Sequence, residues 1–88
     1  MGQIARFRLL IMDADKLIYD GTAAYLFLQG DRGEFEILPY HYPVLSLLKR
    51  GRVLIDWKYY VEISKGVLRF FKNECTLIVE LSGDKKAG

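Results

Sequence analysis

Residues 33–45 read GEFEILPYHYPVL and contain both prolines and the only histidine of this 88-residue chain. Proline fixes φ and removes a backbone donor, so Pro39 and Pro43 exclude this segment from the interior of a central strand. The residues that precede them, Leu38 and Tyr42, are restricted to extended backbone. The segment is therefore predicted to form a stiff corner that presents aromatic side chains.

The corner displays Tyr40, His41 and Tyr42, and two interpretations of it are open. Aromatic rings that are held rigidly lose little conformational entropy on binding, which suits a surface that recognises another protein. Alternatively, the segment is a structural corner in which His41 forms a hydrogen bond with nearby backbone. The two interpretations are compatible with each other.

Outside the corner, apolar residues recur with a period of two, which is typical of β-strands. Val53, Ile55 and Trp57 are predicted to share one face of a strand. The polar loop Lys72-Asn73-Glu74 predicts a hairpin. The predicted strands cover residues 22–29, 44–50, 51–58, 59–63, 67–71 and 75–81. A helical turn also fits residues 44–50, which are assigned as strand.

Glycines divide these segments at intervals of roughly ten residues, as in all-β domains. We therefore predict an all-β fold, a two-sheet β-sandwich or flattened barrel of short strands, without a C-terminal helical domain. Residues 1–81 are assigned to this domain and residues 82–88 to a flexible polar tail.

The composition is that of a folded domain, with 51% hydrophobic and 27% charged residues. Thirteen basic and 11 acidic residues give a net charge of +2, without the clustered excess that nucleic-acid binding requires. A small domain with this large a share of apolar residues cannot bury all of its apolar surface. The surface that stays exposed is a first indication of a protein partner. No apolar run approaches the about 20 residues of a membrane span, so any membrane contact is expected to be indirect.

Motifs for catalysis, nucleotide binding or metal binding are missing from the sequence. Neither GxxxxGK[ST] nor GxGxxG occurs. A metal site needs about three or four ligands, and one histidine and one cysteine, Cys75, supply too few. The glycine-bounded turn 30–33 and the pair Asp13 and Asp15 are interpreted as solvated turns rather than an anion site and a carboxylate pair. Cys75 lies in an alternating segment and is predicted to be a buried structural thiol. We expect no catalytic residue, cofactor or metal.

The corner and its surroundings resemble the epsilon subunit of the F-type ATP synthase. Pro39, His41 and Pro43 have the spacing of that family's Pro-x-His-x-Pro motif, which the basic residues before Gly51 close. The resemblance extends over about Phe7 to Leu81. Its supporting stretches are Phe7–Ile11, Tyr19–Gly21, Gly30–Glu34, Ser64–Leu68 and Asn73–Glu80. The family's usual C-terminal pair of helices has no counterpart here, so the resemblance implies the N-terminal β-sandwich in a short form.

This resemblance implies a non-catalytic central-stalk subunit that couples rotation of the c-subunit ring to the gamma subunit and to ATP synthesis in F1. It implies a c-ring interface formed by Asp31, Arg32, Gly33 and Glu34. It also implies a gamma interface formed by Asp13, His41, Tyr42, Pro43 and Ser46.

Because the missing helices usually carry the inhibitory arm and any ATP-sensing site, we expect no nucleotide binding and no inhibition of ATP hydrolysis by that route. The subunit is expected on the cytoplasmic side of the energy-transducing membrane, peripheral and attached only through the c ring. Two other classes of function compete with this one. A free-standing β-sandwich adaptor would use the same corner on an unrelated protein, and a small hydrolase would use His41 in catalysis.

Overall fold

The computed structural model describes residues 4–82, which form eight β-strands joined by short turns. The strands are β1 (Phe7–Asp13), β2 (Lys16–Ala23), β3 (Leu26–Gly30), β4 (Gly33–Ile37), β5 (Val44–Leu48), β6 (Gly51–Ile55), β7 (Tyr59–Phe71) and β8 (Glu74–Leu81). The described residues hold no helix with the length and apolar character needed to cross a membrane. Apart from Ser82, the predicted tail lies outside the described residues.

All eight strands belong to one sheet with the order β2-β1-β8-β7-β5-β3-β4, in which β6 pairs with both β3 and β7. The 13-residue β7 serves two parts of this sheet. Its first half pairs with β6, and its second half lies between β5 and β8. The sheet therefore folds over itself into a sandwich, which confirms the predicted all-β fold. The ambiguous segment after Pro43 is strand β5, as assigned.

The two layers enclose a core of apolar side chains that alternate along the strands. Phe7 and Phe70 meet edge to face at its centre, with ring centroids 5.6 Å apart. Cys75 is buried as predicted, and Ala23 at the end of β2 also lies in the core. The core consists of Phe7, Leu9, Ile11, Ala23, Leu26, Leu28, Ile37, Leu48, Val53, Ile55, Ile63, Leu68, Phe70, Cys75, Leu77 and Val79.

The turn between β6 and β7 differs from the prediction, because β6 ends at Ile55 and Trp57 does not share the buried face of Val53. Asp56 and Trp57 have φ of 56° and 58° and form a tight two-residue turn. The Lys58 N–H closes it by donating to the Ile55 carbonyl over 3.0 Å. Asp56 is a common residue at the first position of such a turn, but the second position normally holds glycine and here holds Trp57, so the sequence did not indicate the turn.

The carboxylate of Asp56 also causes a second departure from the prediction. Its Oδ1 accepts hydrogen bonds from the backbone N–H groups of Ala24 (2.7 Å) and Tyr25 (3.1 Å), and its Oδ2 accepts one from Arg6 (3.1 Å). Ala24 and Tyr25 therefore leave the strand ladder and form a bend. The segment 22–29, predicted as one strand, is divided into the end of β2 and most of β3.

We expect Gly66→Ala to destabilise the fold, because Gly66 lies against the backbone of β8. A Cβ at this position would lie 2.9 Å from the carbonyl oxygen of Ile78 and 2.9 Å from a methyl group of Val79. Overpacking of this kind costs about 1–3 kcal/mol of unfolding free energy. Gly21→Ala is the matched control, because its Cβ would lie 3.5 Å or more from the Tyr19 ring. Urea unfolding of the two variants measures the difference, and equal midpoints would contradict the close approach of β7 and β8.

We expect the Cys75 thiol to make the stability of the fold depend on pH. Burial raises the pKa of Cys75 from 9.0 to about 12. Above pH 9 the unfolded chain loses this thiol proton while the folded chain keeps it, so the unfolded state binds fewer protons. The free energy of unfolding should therefore fall as pH rises from 9 towards 12, by about 1.4 kcal/mol per pH unit.

Urea unfolding between pH 8 and pH 10.5 measures this slope, with Cys75→Val as the control. Tyrosines and lysines titrate in both proteins, so the difference between the two profiles isolates the thiol. Parallel profiles for the wild type and the variant would contradict the burial of Cys75.

Candidate protein-interaction site

The corner between β4 and β5 contains a β-turn over residues 38–41. The His41 N–H donates to the carbonyl of Leu38 over 3.1 Å. Pro39 occupies the second position of the turn, and Tyr40 occupies the third with φ of 64°. This is the pattern of a type II turn, whose third position normally holds glycine. The predicted corner is therefore present, and it holds a tyrosine in a conformation that tyrosine disfavours.

An asparagine from another part of the chain contacts this turn. The Tyr40 N–H donates to the side-chain Oδ1 of Asn73 over 2.8 Å, and the Asn73 Nδ2 donates to the carbonyl of Arg6 over 2.8 Å. The backbone carbonyl of Asn73 also accepts from the Arg8 N–H over 3.1 Å. Sequence reasoning placed Asn73 in a hairpin loop but assigned no role to its side chain.

His41 is half-buried, and its ring contacts both the corner and the core. The ring centroid lies 4.6 Å from that of Tyr42 and 5.7 Å from that of Phe70. Its Nδ1 lies 2.6 Å from the carbonyl oxygen of Tyr42. A carbonyl can only accept, so Nδ1 carries the hydrogen and Nε2 remains for another partner. Both interpretations of His41 are thus compatible with this geometry, since the ring braces the corner and also lines an open groove.

This groove has a volume of about 590 Å³ and lies between the β3–β4 turn, the corner and β5. It brings together two sets of residues that the resemblance assigned to different partners. The first set is the charged turn with its flanking glycine and glutamate, Asp31, Arg32, Gly33 and Glu34. The second set contributes His41, Tyr42 and Ser46. Pro43 is exposed beside the groove but is not among the residues that line it.

Asp13 lies elsewhere, at the end of β1. It borders a second groove of about 830 Å³, which it shares with apolar residues such as Val67 and Ile78. Its carboxylate accepts a hydrogen bond from the Leu81 N–H over 3.1 Å. The structure therefore places Asp13 apart from the other residues predicted for the gamma interface. The two grooves share the lining residue Leu47.

Some of the polar side chains at the groove around the corner form local hydrogen bonds. Gln29 donates to Glu34 over 3.1 Å, and the Ser46 hydroxyl donates to the carbonyl of Leu47 over 3.1 Å. The Ser46 hydroxyl donates to the Leu47 carbonyl and not to His41, so in this structure the two residues are not arranged as a nucleophile–base pair. Within residues 4–82, no group of acidic, histidine or cysteine side chains has the arrangement of a metal site.

Exposed apolar side chains border the groove, and two of them, Leu45 and Leu47, were not predicted as site residues. Leu45 is 74% exposed and Leu47 59%, beside the predicted Tyr42 at 76%. Both leucines follow the period of two in β5, but an apolar residue on the outer face of a strand cannot be told from a core residue until the sheet is seen. Apolar surface with a polar rim is typical of contacts between proteins.

Comparisons with known proteins point to the same family that the sequence resembles. Residues 6–81 match the family described as ATP synthase, Delta/Epsilon chain, beta-sandwich domain. The ATP synthase epsilon chain of Nitratiruptor sp. is 34% identical over 77 residues, which is 83% of this chain and 60% of that protein. The ATP synthase epsilon chain of Delftia acidovorans is 29% identical over 72 residues, which is 77% of this chain and 52% of that protein. The chain thus spans little more than half the length of these relatives.

Two solved structures show the same fold. One is a chain of the Tetrahymena thermophila mitochondrial ATP synthase central stalk and c ring, with a TM-score of 0.70 and 13% identity over 83% of this chain and 62% of that one. The other is a chain of the Euglena gracilis mitochondrial ATP synthase, from a structure of OSCP, F1 and c ring, with a TM-score of 0.71 and 19% identity over 91% of this chain and 53% of that one.

We expect Tyr40→Val to be less stable than Tyr40→Gly by about 1–2 kcal/mol. Both variants lose the same side chain, which is 74% exposed, so they differ mainly in the cost of a positive φ. That cost is absent for glycine and highest for β-branched residues. Urea unfolding of the two variants provides the measurement. If valine were tolerated as well as glycine, Tyr40 would not hold the left-handed conformation in solution.

Proposed function

The chain belongs to the family of the ATP synthase delta/epsilon chain β-sandwich domain, and from this membership we propose that it acts as a non-catalytic central-stalk epsilon subunit of an F-type ATP synthase. In this role it couples rotation of the c ring to the gamma subunit and to ATP synthesis in F1. The proposed partners are therefore the gamma subunit and the c-subunit ring. The observation that carries the proposal is the family match over residues 6–81, and the exposed corner beside a charged turn offers the surfaces for contact.

The construction of the domain suits the transmission of torque. A subunit that turns between two partners must not deform, and hydrogen-bonded strands around a closely packed core resist deformation. The continuous pairing of β7 with β5, β6 and β8 links the two layers through backbone hydrogen bonds. Among the described residues, the fully buried side chains are all apolar, so the core contains no polar group that must exchange partners.

The proposed gamma interface consists of Asp13, His41, Tyr42, Pro43 and Ser46, to which the exposed Leu45 and Leu47 are added. Tyrosine is enriched among the few side chains that supply most of the binding energy in protein interfaces, and neighbouring apolar contacts exclude water around them. The ring of Tyr42 is exposed, yet it is held against His41 with centroids 4.6 Å apart. A side chain that is already ordered loses less entropy when a partner covers it.

The proposed c-ring interface consists of Asp31 and Arg32 in the β3–β4 turn together with Gly33 and Glu34 at the start of β4. All four residues are exposed, and both signs of charge occur within the turn. Such a turn complements polar loops rather than an apolar surface. The subunit is proposed to lie on the cytoplasmic side of the energy-transducing membrane, with the c ring as its only connection to the lipid phase. No nucleotide is expected to bind this chain.

We expect Tyr42→Ala to weaken binding to the gamma subunit of the same organism by about tenfold or more, because it removes an ordered ring from the centre of the proposed interface. Tyr59→Ala is the matched control, since Tyr59 is also exposed, at 56%, but lies at the start of β7 in the β6–β7 hairpin, outside the groove. Calorimetric titration with purified gamma subunit provides the affinities. A wild-type chain that does not bind gamma would overturn the proposed function, and equal losses in both variants would overturn the assignment of the interface.

We expect Glu34→Gln to weaken association with purified c ring while binding to gamma is retained, because the substitution removes one charge from the turn and preserves its shape. The effect should diminish as salt is added, since exposed charges are screened over about 10 Å at 0.1 M salt. Glu74→Gln, at an exposed position at the start of β8, is the control. Equal association of both variants with the c ring would contradict the role of Glu34.

A further inference from the structure

The corner contains a residue in a disfavoured backbone conformation, which the residues of the corner do not stabilise sufficiently by themselves. Tyr40 has φ of 64° and is 74% exposed. The type II turn provides one hydrogen bond, from the His41 N–H to the Leu38 carbonyl. A tyrosine at the third position of such a turn is disfavoured, so the turn needs support from outside the segment.

Asn73 supplies that support from a well-anchored position. It forms the two-residue turn of the β7–β8 hairpin together with Lys72, and the two residues have φ of 62° and 49°. Positive φ at both central positions is the conformation of a type I′ turn, which matches the twist of the strands it joins. Phe70 and Cys75, the second strand pair from the turn, are buried in the core. The side chain of Asn73 therefore projects from a part of the backbone that has little freedom.

Both ends of the Asn73 amide are used. Oδ1 accepts from the Tyr40 N–H, and Nδ2 donates to the Arg6 carbonyl, each over 2.8 Å. These two bonds join three segments that are distant in sequence: the residues before β1, the corner and the β7–β8 hairpin. No other standard side chain of similar length offers a donor and an acceptor side by side except aspartic acid in its protonated form.

We propose that Asn73 is the positioning residue of the corner, which holds Tyr40 in the left-handed conformation and thereby sets the direction of His41 and Tyr42. The consequence for partner binding rests on the proposed function, whereas the positioning itself does not. Asn73 does not line the groove around the corner. It acts through the backbone of Tyr40.

The first experiment compares amide hydrogen exchange in the wild type, Asn73→Gly and Lys72→Gly. Glycine adopts positive φ readily, so each substitution preserves the hairpin turn, but only Asn73→Gly removes the bond to Tyr40. We expect exchange at the Tyr40 and His41 amides to accelerate at least about tenfold in Asn73→Gly, as an opened local structure exchanges faster. Lys72→Gly should leave these amides unchanged, and the amides of β3 and β6 should be unchanged in both variants. Unaltered exchange at Tyr40 in Asn73→Gly would overturn the proposal.

The second experiment asks whether the effect passes through Tyr40. Glycine at position 40 fits a type II turn without help, so Tyr40→Gly should make Asn73 dispensable. We expect Asn73→Gly to weaken gamma-subunit binding about tenfold in the Tyr40 background and less than about threefold in the Tyr40→Gly background, which a double-mutant cycle resolves. Equal losses in both backgrounds would overturn positioning through Tyr40. If the wild type does not bind gamma, the proposed function fails, while hydrogen exchange still decides the role of Asn73.

Discussion

The structure depends on one strand, β7, remaining hydrogen-bonded while it serves both layers of the sandwich. Its first half pairs with β6, and its second half pairs with β5. β8 follows it along most of its length, with a register shift between Ile63 and Lys65. Glycine at position 66 permits the close approach there, because any side chain would meet the backbone of β8. The shift and the glycine together let one strand change layers without losing its ladder.

The proposed interaction surface is attached to this same strand pair. The β7–β8 hairpin ends in the turn that carries Asn73, and Asn73 holds the backbone of Tyr40. From the other side, the ring of Phe70 in β7 packs against His41. The corner is thus connected to the core at two points, through a hydrogen bond and through an aromatic contact. Its rigidity comes from these tertiary contacts as much as from Pro39 and Pro43.

Sequence reasoning predicted the features that depend on local pattern. Cys75 lies in an alternating segment and was predicted to be a buried thiol, and it is buried together with Leu77 and Val79. Pro39 and Pro43 predicted a corner between strands, and both lie outside the strands. These predictions succeeded because proline stereochemistry and strand alternation act within a few residues.

The missed features depend on side chains that reach distant backbone. The Asp56 carboxylate binds the N–H of Ala24, which is 32 residues away in sequence, and so creates both a bend and a turn that lack glycine. Asn73 contacts Tyr40 across 33 residues and Arg6 across 67. Nothing in the neighbouring sequence of either residue specifies such a partner. The groove could not be predicted from the sequence either, because the β3–β4 turn and the corner become neighbours through the pairing of Gly30 with Leu48.

The two long-range hydrogen-bonding residues explain how a small domain can hold strained backbone at its surface. Asp56 and Asn73 each lie in a tight turn with positive φ, and each accepts hydrogen bonds from a segment that would otherwise be free to move. Arg6 takes part in both clusters, since its guanidinium donates to Asp56 and its carbonyl accepts from Asn73. The residues before β1 therefore connect the β6–β7 turn with the corner. Contacts made at the corner are thereby linked to a second, distant turn of the sandwich, as the proposed role between two partners would require.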